Sequence, residues 1–154
     1  MKISRRGYLQ GSGALALLPW LPIVSEAEAA AVRMTEIAPG LFVHQGQHAV
    51  FAPENAGDIS NLSLIIGKDA AAVVDTGGSA FVGRGFLEAV RAITDKPIRY
   101  VINTHMHPDH VFGNAIFKAE KPTFIAHHKM ARGLAARAAL RRHAIERGML
   151  MDAG

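Results

Sequence analysis

Residues His105-Met106-His107-Pro108-Asp109-His110 put three imidazoles and a carboxylate within six positions, directly after the apolar run 99–104. A solvated loop has no reason to gather three of the chain's eight histidines in this way, so the fold must present the run at a site. With no cysteine in the chain, the donors are nitrogen and oxygen only, a set that suits zinc and, after it, iron or manganese. His105 and His107 alternate, so an extended backbone aims both side chains the same way. Pro108 ends strand geometry, and Asp109 and His110 then turn toward a second point. Two pairs converging on two adjacent points are what a dinuclear centre needs. The plainer alternative is a polar strand-to-helix loop.

The elements around this run follow from period and punctuation. Residues 40–46 form a short strand bounded by glycines, and residues 52–58 a turn-rich loop or hairpin tip. Residues 62–66 and 70–74 are apolar runs joined by Gly67-Lys68-Asp69, a hairpin, and their continuous apolarity predicts burial on both faces. Residues 79–93 carry Phe81, Val82, Phe86, Leu87, Val90 and Ile93 on one helical stripe, with Ser79 as N-cap and Asp95-Lys96-Pro97 as the stop. Residues 99–104 are the strand that delivers the histidine run, 111–118 a short helix and 123–126 a further strand. Residues 127–147 read as a helix with Met130, Leu134, Ala138 and Ile145 inward. Hairpins first, then alternating helix and strand, give an α/β fold with a mixed β-sheet and flanking helices.

Asp75 ends a buried strand beside Thr76-Gly77-Gly78 and falls next to the histidine run. It is the candidate acceptor for the ring nitrogen that a ligand histidine does not give to the metal. Its plainer reading is a hydrogen-bonded turn carboxylate. Gly77 and Gly78 permit a tight turn. Among the remaining histidines, His127 and His128 open the last helix, His44 and His48 flank a hairpin whose loop could cover the site, and His143 lies on a basic helix face.

The first 29 residues read separately. A basic start, Met1-Lys2-Ile3-Ser4-Arg5-Arg6, precedes an apolar stretch at 14–24 and the small residues Ala27-Glu28-Ala29. Ser4-Arg5-Arg6-Gly7-Tyr8-Leu9 resembles a twin-arginine export signal, which implies a periplasmic protein folded before export. Pro19 and Pro22 break the apolar stretch, so no stable membrane insertion is expected. The rest, 30–154, is one small domain at most. The net charge of +4 is unevenly spread: residues 30–117 hold six basic and eight acidic groups, and 118–154 hold eight and three. No aromatic follows Phe124, so the basic tail reads as a solvated helix face and not as a nucleic-acid surface.

His-x-His-x-Asp-His after a short strand, with residues 61–67 and 71–78 upstream and Gly113-Asn114 downstream, resembles the metallo-β-lactamase superfamily of metallohydrolases. The resemblance spans roughly residues 35–130 and implies a metallo-β-lactamase-type αββα sandwich, of which this chain would be the N-terminal half only. It also implies two zinc ions, the first held by His105 and His107 and the second by Asp109 and His110. Asp109 would double as catalytic proton acceptor in the hydrolysis of an ester, thioester, lactone or amide-like small-molecule substrate. The family's third histidine on the first metal, bridging aspartate and last histidine have no counterpart in strand context after His110. The twin-arginine start together with 37–46 and the 53–61 loop is similar to the quinoprotein relay and sulfur-oxidation-associated members, implying a setting near periplasmic quinoprotein dehydrogenases. Two alternatives belong to other classes: a mononuclear iron sulfur dioxygenase of the same fold, and a non-catalytic half-domain completed by a partner chain.

Overall fold

The computed structural model describes residues 31–146; the export signal expected at 1–29 and the end of the chain lie outside the described residues. Six strands form one sheet: β1 (Thr35–Ala38), β2 (Leu41–His44), β3 (Leu62–Ile66), β4 (Ala71–Val74), β5 (Ile98–Asn103) and β6 (Thr123–Ala126). They lie in sequence order, β1 to β4 as an antiparallel meander and β4, β5 and β6 in parallel. Each parallel step needs a crossover. Helix α1 (Ala80–Ile93) makes the first, and two single turns, α2 (Pro108–Val111) and α3 (Asn114–Phe117), make the second. Helix α4 (Met130–Glu146) follows β6. The expected mixed sheet with flanking helices is therefore present.

Helix α1 begins where the sequence places it, with Ser79 Oγ accepting from Val82 N at 3.2 Å. Its apolar stripe buries Val82, Phe86 and Val90 completely against Leu62, Leu64, Val73 and Val101 of the sheet. Phe117 of α3 joins them, its ring centroid 5.7 Å from that of Phe86. α1 and α3 thus cover the same face of the sheet.

Four expectations need correction. β3 and β4 are buried on one face only: Leu62, Leu64, Ala71 and Val73 are inside, whereas Ile65 is 42% exposed and Ala72 and Val74 are half-buried. Continuous apolarity could not distinguish two covered faces from one covered and one bare. The bare face runs across the cross-strand partners Val43, Ser63 and Val74, then Leu41, Ile65, Ala72 and Tyr100, and carries no Asp, Glu, Lys or Arg among them. Second, the strand closes at Asn103, one residue from its expected end, but extended backbone does not run on to the proline: it bends at His105-Met106 before His107. Third, the helix expected over 111–118 is two turns broken at Gly113. A methyl on Gly113 would overlap the Thr76 carbonyl, and one on Gly83 of α1 would stand 2.8 Å from Gly113 Cα, so three backbones meet where only glycine fits. Fourth, Leu134 and Ala138 of α4 are exposed and not inward; the side chain of Ile145 lies outside the described residues.

Phe86→Ala is expected to lower the unfolding free energy by about 3–5 kcal/mol, and Ile65→Ala on the bare face by far less. Denaturant unfolding of both variants measures the contrast.

Candidate metal centre

The ends of the parallel strands meet at one edge of the sheet, the edge where open α/β sheets place their ligands. β4 ends at Val74, and Asp75 follows in the left-handed region at φ 57°. That conformation is uncommon for a residue with a side chain, although Asp tolerates it better than most. Here it is held on both sides: Asp75 N donates to Ile102 O at 2.8 Å, and the carboxylate, 2% exposed, accepts three hydrogen bonds. Oδ1 takes Thr104 N at 2.9 Å; Oδ2 takes Thr104 Oγ1 and His110 Nδ1, each at 2.7 Å.

These bonds fix which ring nitrogens remain free. His110 donates Nδ1–H to Asp75 and keeps its Nε2 lone pair. Thr104 has one hydroxyl proton, which goes to Asp75, so its oxygen accepts from His105 Nδ1 at 3.0 Å. His105 therefore also keeps Nε2. One buried carboxylate sets the tautomer of two histidines, directly for one and through a hydroxyl for the other, the arrangement that raises ligand basicity in metal sites.

The four residues of the run come together. His105 has ring centroids 4.0 Å from His110 and 4.6 Å from His107, so the two expected pairs lie side by side in one cluster. His107 is extended, at φ −70° and ψ 147°, and Pro108 opens the turn that carries Asp109 and His110. His110 Nε2 lies 3.1 Å from Asp109 Oδ2. Two donors on one tetrahedral zinc, each at about 2.0–2.2 Å, sit roughly 3.3 Å apart, so this pair fits a shared ion. Among the described residues no group of three or more His, Cys, Asp or Glu side chains is arranged to hold a metal ion. The fit therefore extends to the donor types and to the Asp109–His110 separation.

Desolvation, and then the neighbouring His110 and His107, hold His105 below the ordinary histidine range, while Asp75 and Asp109 pull the other way. A lowered value keeps its lone pair free to lower pH than an isolated imidazole would, which favours metal over proton.

Thr76 and Asn114 brace the turn from behind. Thr76 N reaches His110 O at 2.9 Å, Thr76 Oγ1 reaches Asn114 Oδ1 at 2.9 Å, and the Asn103 and Asn114 amides exchange bonds of 3.1 and 2.8 Å. Sequence reasoning assigned no role to Thr104, Thr76 or Asn103; a strand-end hydroxyl or amide carries no signal until its partner is known. The other histidines divide. His44 is buried, with Nε2 2.7 Å from Asp58 Oδ1 and Nδ1 3.1 Å from Arg33 O, so both ring nitrogens are engaged in tying loop to sheet. His48 is exposed, and the side chain of His143 lies outside the described residues. His127 Nδ1 accepts from Lys129 N at 3.3 Å at the start of α4, and His127 and His128 line a surface cavity of about 450 Å³ with Asn103 and Lys118, beside the His105–His110 cluster and not in it.

Comparisons with known proteins bear on the family and the fold. Residues 55–148 match the family model of the Metallo-beta-lactamase superfamily. Over 58 residues the chain is 40% identical to a linear primary-alkylsulfatase from Pseudomonas sp. (strain ATCC 19151), a match covering 38% of this chain and 11% of that protein. Among solved structures, the metallo-beta-lactamase FIM-1 from Pseudomonas aeruginosa, in its mono-zinc form, superposes with a TM-score of 0.59 at 23% identity, over 72% of this chain and 48% of that one. A metallo-beta-lactamase from Hirschia baltica gives 0.58 at 23% identity, over 70% and 48%. The chain thus spans about half the length of the solved structures it matches.

Asp75→Asn exchanges an acceptor oxygen for a donor, and Thr104→Val removes the relay to His105. Each is expected to weaken zinc binding about 10–100-fold, read by zinc titration; Thr104→Val acts through His105 and also removes one of the two hydrogen bonds on Asp75 Oδ2.

Proposed function

The chain belongs to the metallo-beta-lactamase superfamily, and on that premise we propose that it is the metal-binding part of a periplasmic, zinc-dependent hydrolase. Superfamily members are metal-dependent hydrolases, and the observation that carries the finer reading is the Asp75-anchored cluster, with His110 Nε2 turned to Asp109 Oδ2 at 3.1 Å. His105 and His107 would hold one zinc ion, and Asp109 and His110 a second. Zinc bound there supplies Lewis acidity toward the scissile group and a water that ionises near neutral pH.

The chain's own residues do the rest. Asp75 and Thr104 keep His105 and His110 in the tautomers that present Nε2. Asp109 is half-buried, so its carboxylate keeps contact with solvent and can take up the proton that the attacking water loses. The substrate is a small molecule with an ester, thioester, lactone or amide-like bond. The 58-residue likeness to an alkylsulfatase adds sulfate esters to that set.

Two measurements test this reading. Asp109→Asn, made in the protein that carries this chain, should cut hydrolysis by at least about a hundredfold while the unfolding midpoint holds; turnover near wild type would remove Asp109 from the role. Export rests on Arg5 and Arg6. Replacing both with lysine should leave the protein in the cytoplasm, and normal periplasmic accumulation of that variant would overturn the location.

A further inference from the structure

We infer that Ser60, in the loop that precedes β3, is the residue that sets the pose of Asp109 and, with it, the Asp109–His110 donor pair. The inference rests on the metal reading above. α2 is a single turn, held internally by His110 N to His107 O at 3.1 Å and Phe112 N to Pro108 O at 3.0 Å. In a longer helix, Asp109 O would accept from Gly113 N and His110 O from Asn114 N. Here Gly113 N turns away to Gly77 O at 3.0 Å, and the two carbonyls beside the donor side chains need partners from outside the helix. His110 O takes Thr76 N at 2.9 Å. Asp109 O takes Ser60 Oγ at 2.5 Å, from a residue 49 positions earlier in the chain.

Ser60 is 5% exposed, and its hydroxyl is presented from a braced segment. A methyl on Gly46 would stand 2.5 Å from Ser60 O and 2.6 Å from Ser60 N, so the two backbones already touch. Just upstream, Asp58 is fixed by His44 Nε2 at 2.7 Å and by Gln47 N to its carbonyl at 2.9 Å. One turn of helix does not support itself. Clamped at successive carbonyls by Ser60 and Thr76, it holds the donors of Asp109 and His110 in register. Ser60 is therefore a positioning residue: without its hydroxyl a half-buried carbonyl is left unpaired and the peptide carrying Asp109 is free to rotate.

The test is a zinc titration of Ser60→Ala and Ser60→Cys followed by imidazole NMR, histidine by histidine. The Ser60→Ala protein should lose affinity about tenfold or more at His110, while the His105 and His107 rings respond to zinc as in the parent. Ser60→Cys, with a weak S–H donor of similar shape, should fall between, and it decides the matter alone if the alanine variant does not fold. Unchanged affinity at His110, or an equal loss at all three rings, would overturn the inference. Should the parent protein take up no zinc, the functional reading fails separately. Amide exchange at Val111 to Gly113 in the metal-free proteins then decides: faster exchange there, with α1 unaffected, supports the clamp, and equal exchange removes it.

Discussion

A buried carboxylate that accepts three hydrogen bonds organises this protein. Asp75 stands at the end of β4, takes the backbone and hydroxyl of Thr104 at the end of β5, and takes the ring of His110 from the turn beyond. Without it the two parallel strands would still pair, because their ladder is made by backbone alone. The histidine run would then leave the sheet with no fixed direction. A carboxylate with its charge so far from water is stable only when donors surround it, and Thr104 and His110 are those donors. The same bonds that make the burial of Asp75 tolerable also aim the histidines.

The covered half of the sheet and the helix behind it were legible in residues 62–104. The hairpin, the Ser79 cap and the α1 stripe all rest on local chemistry, and local chemistry survives folding unchanged. The histidine run was legible as a site because its composition has no structural excuse, and Asp75 because a carboxylate closing an apolar strand needs one. What was not legible depended on distance along the chain. Thr104, Thr76 and Ser60 act on partners 29, 34 and 49 positions away, and a hydroxyl in a sequence does not name its acceptor. The break at Gly113 was hidden for a similar reason. A glycine between Phe112 and Asn114 is a weak point in any helix, but the sequence does not show the backbones of Thr76 and Gly83 that press against it.

The bare face of the sheet and the short turn α2 share a logic. In each, the secondary structure is correct but leaves groups that it cannot satisfy by itself: apolar side chains in one case, carbonyl oxygens in the other. For the turn, a side chain and a backbone amide from other segments supply the partners within the described residues. The resulting rigidity is local, confined to Asp109, His110 and the backbone on either side.

The sheet order also has a kinetic side. β1 to β4 are neighbours in sequence as well as in space, so their contacts close short loops and form early. Because synthesis runs from the N-terminus, Ser60, Asp75 and Thr76 leave the ribosome before His105 to His110 exist. The meander can therefore act as a template, its receptor groups waiting as the histidine run emerges. A destabilised meander would delay assembly of the cluster even if every residue of the run were intact.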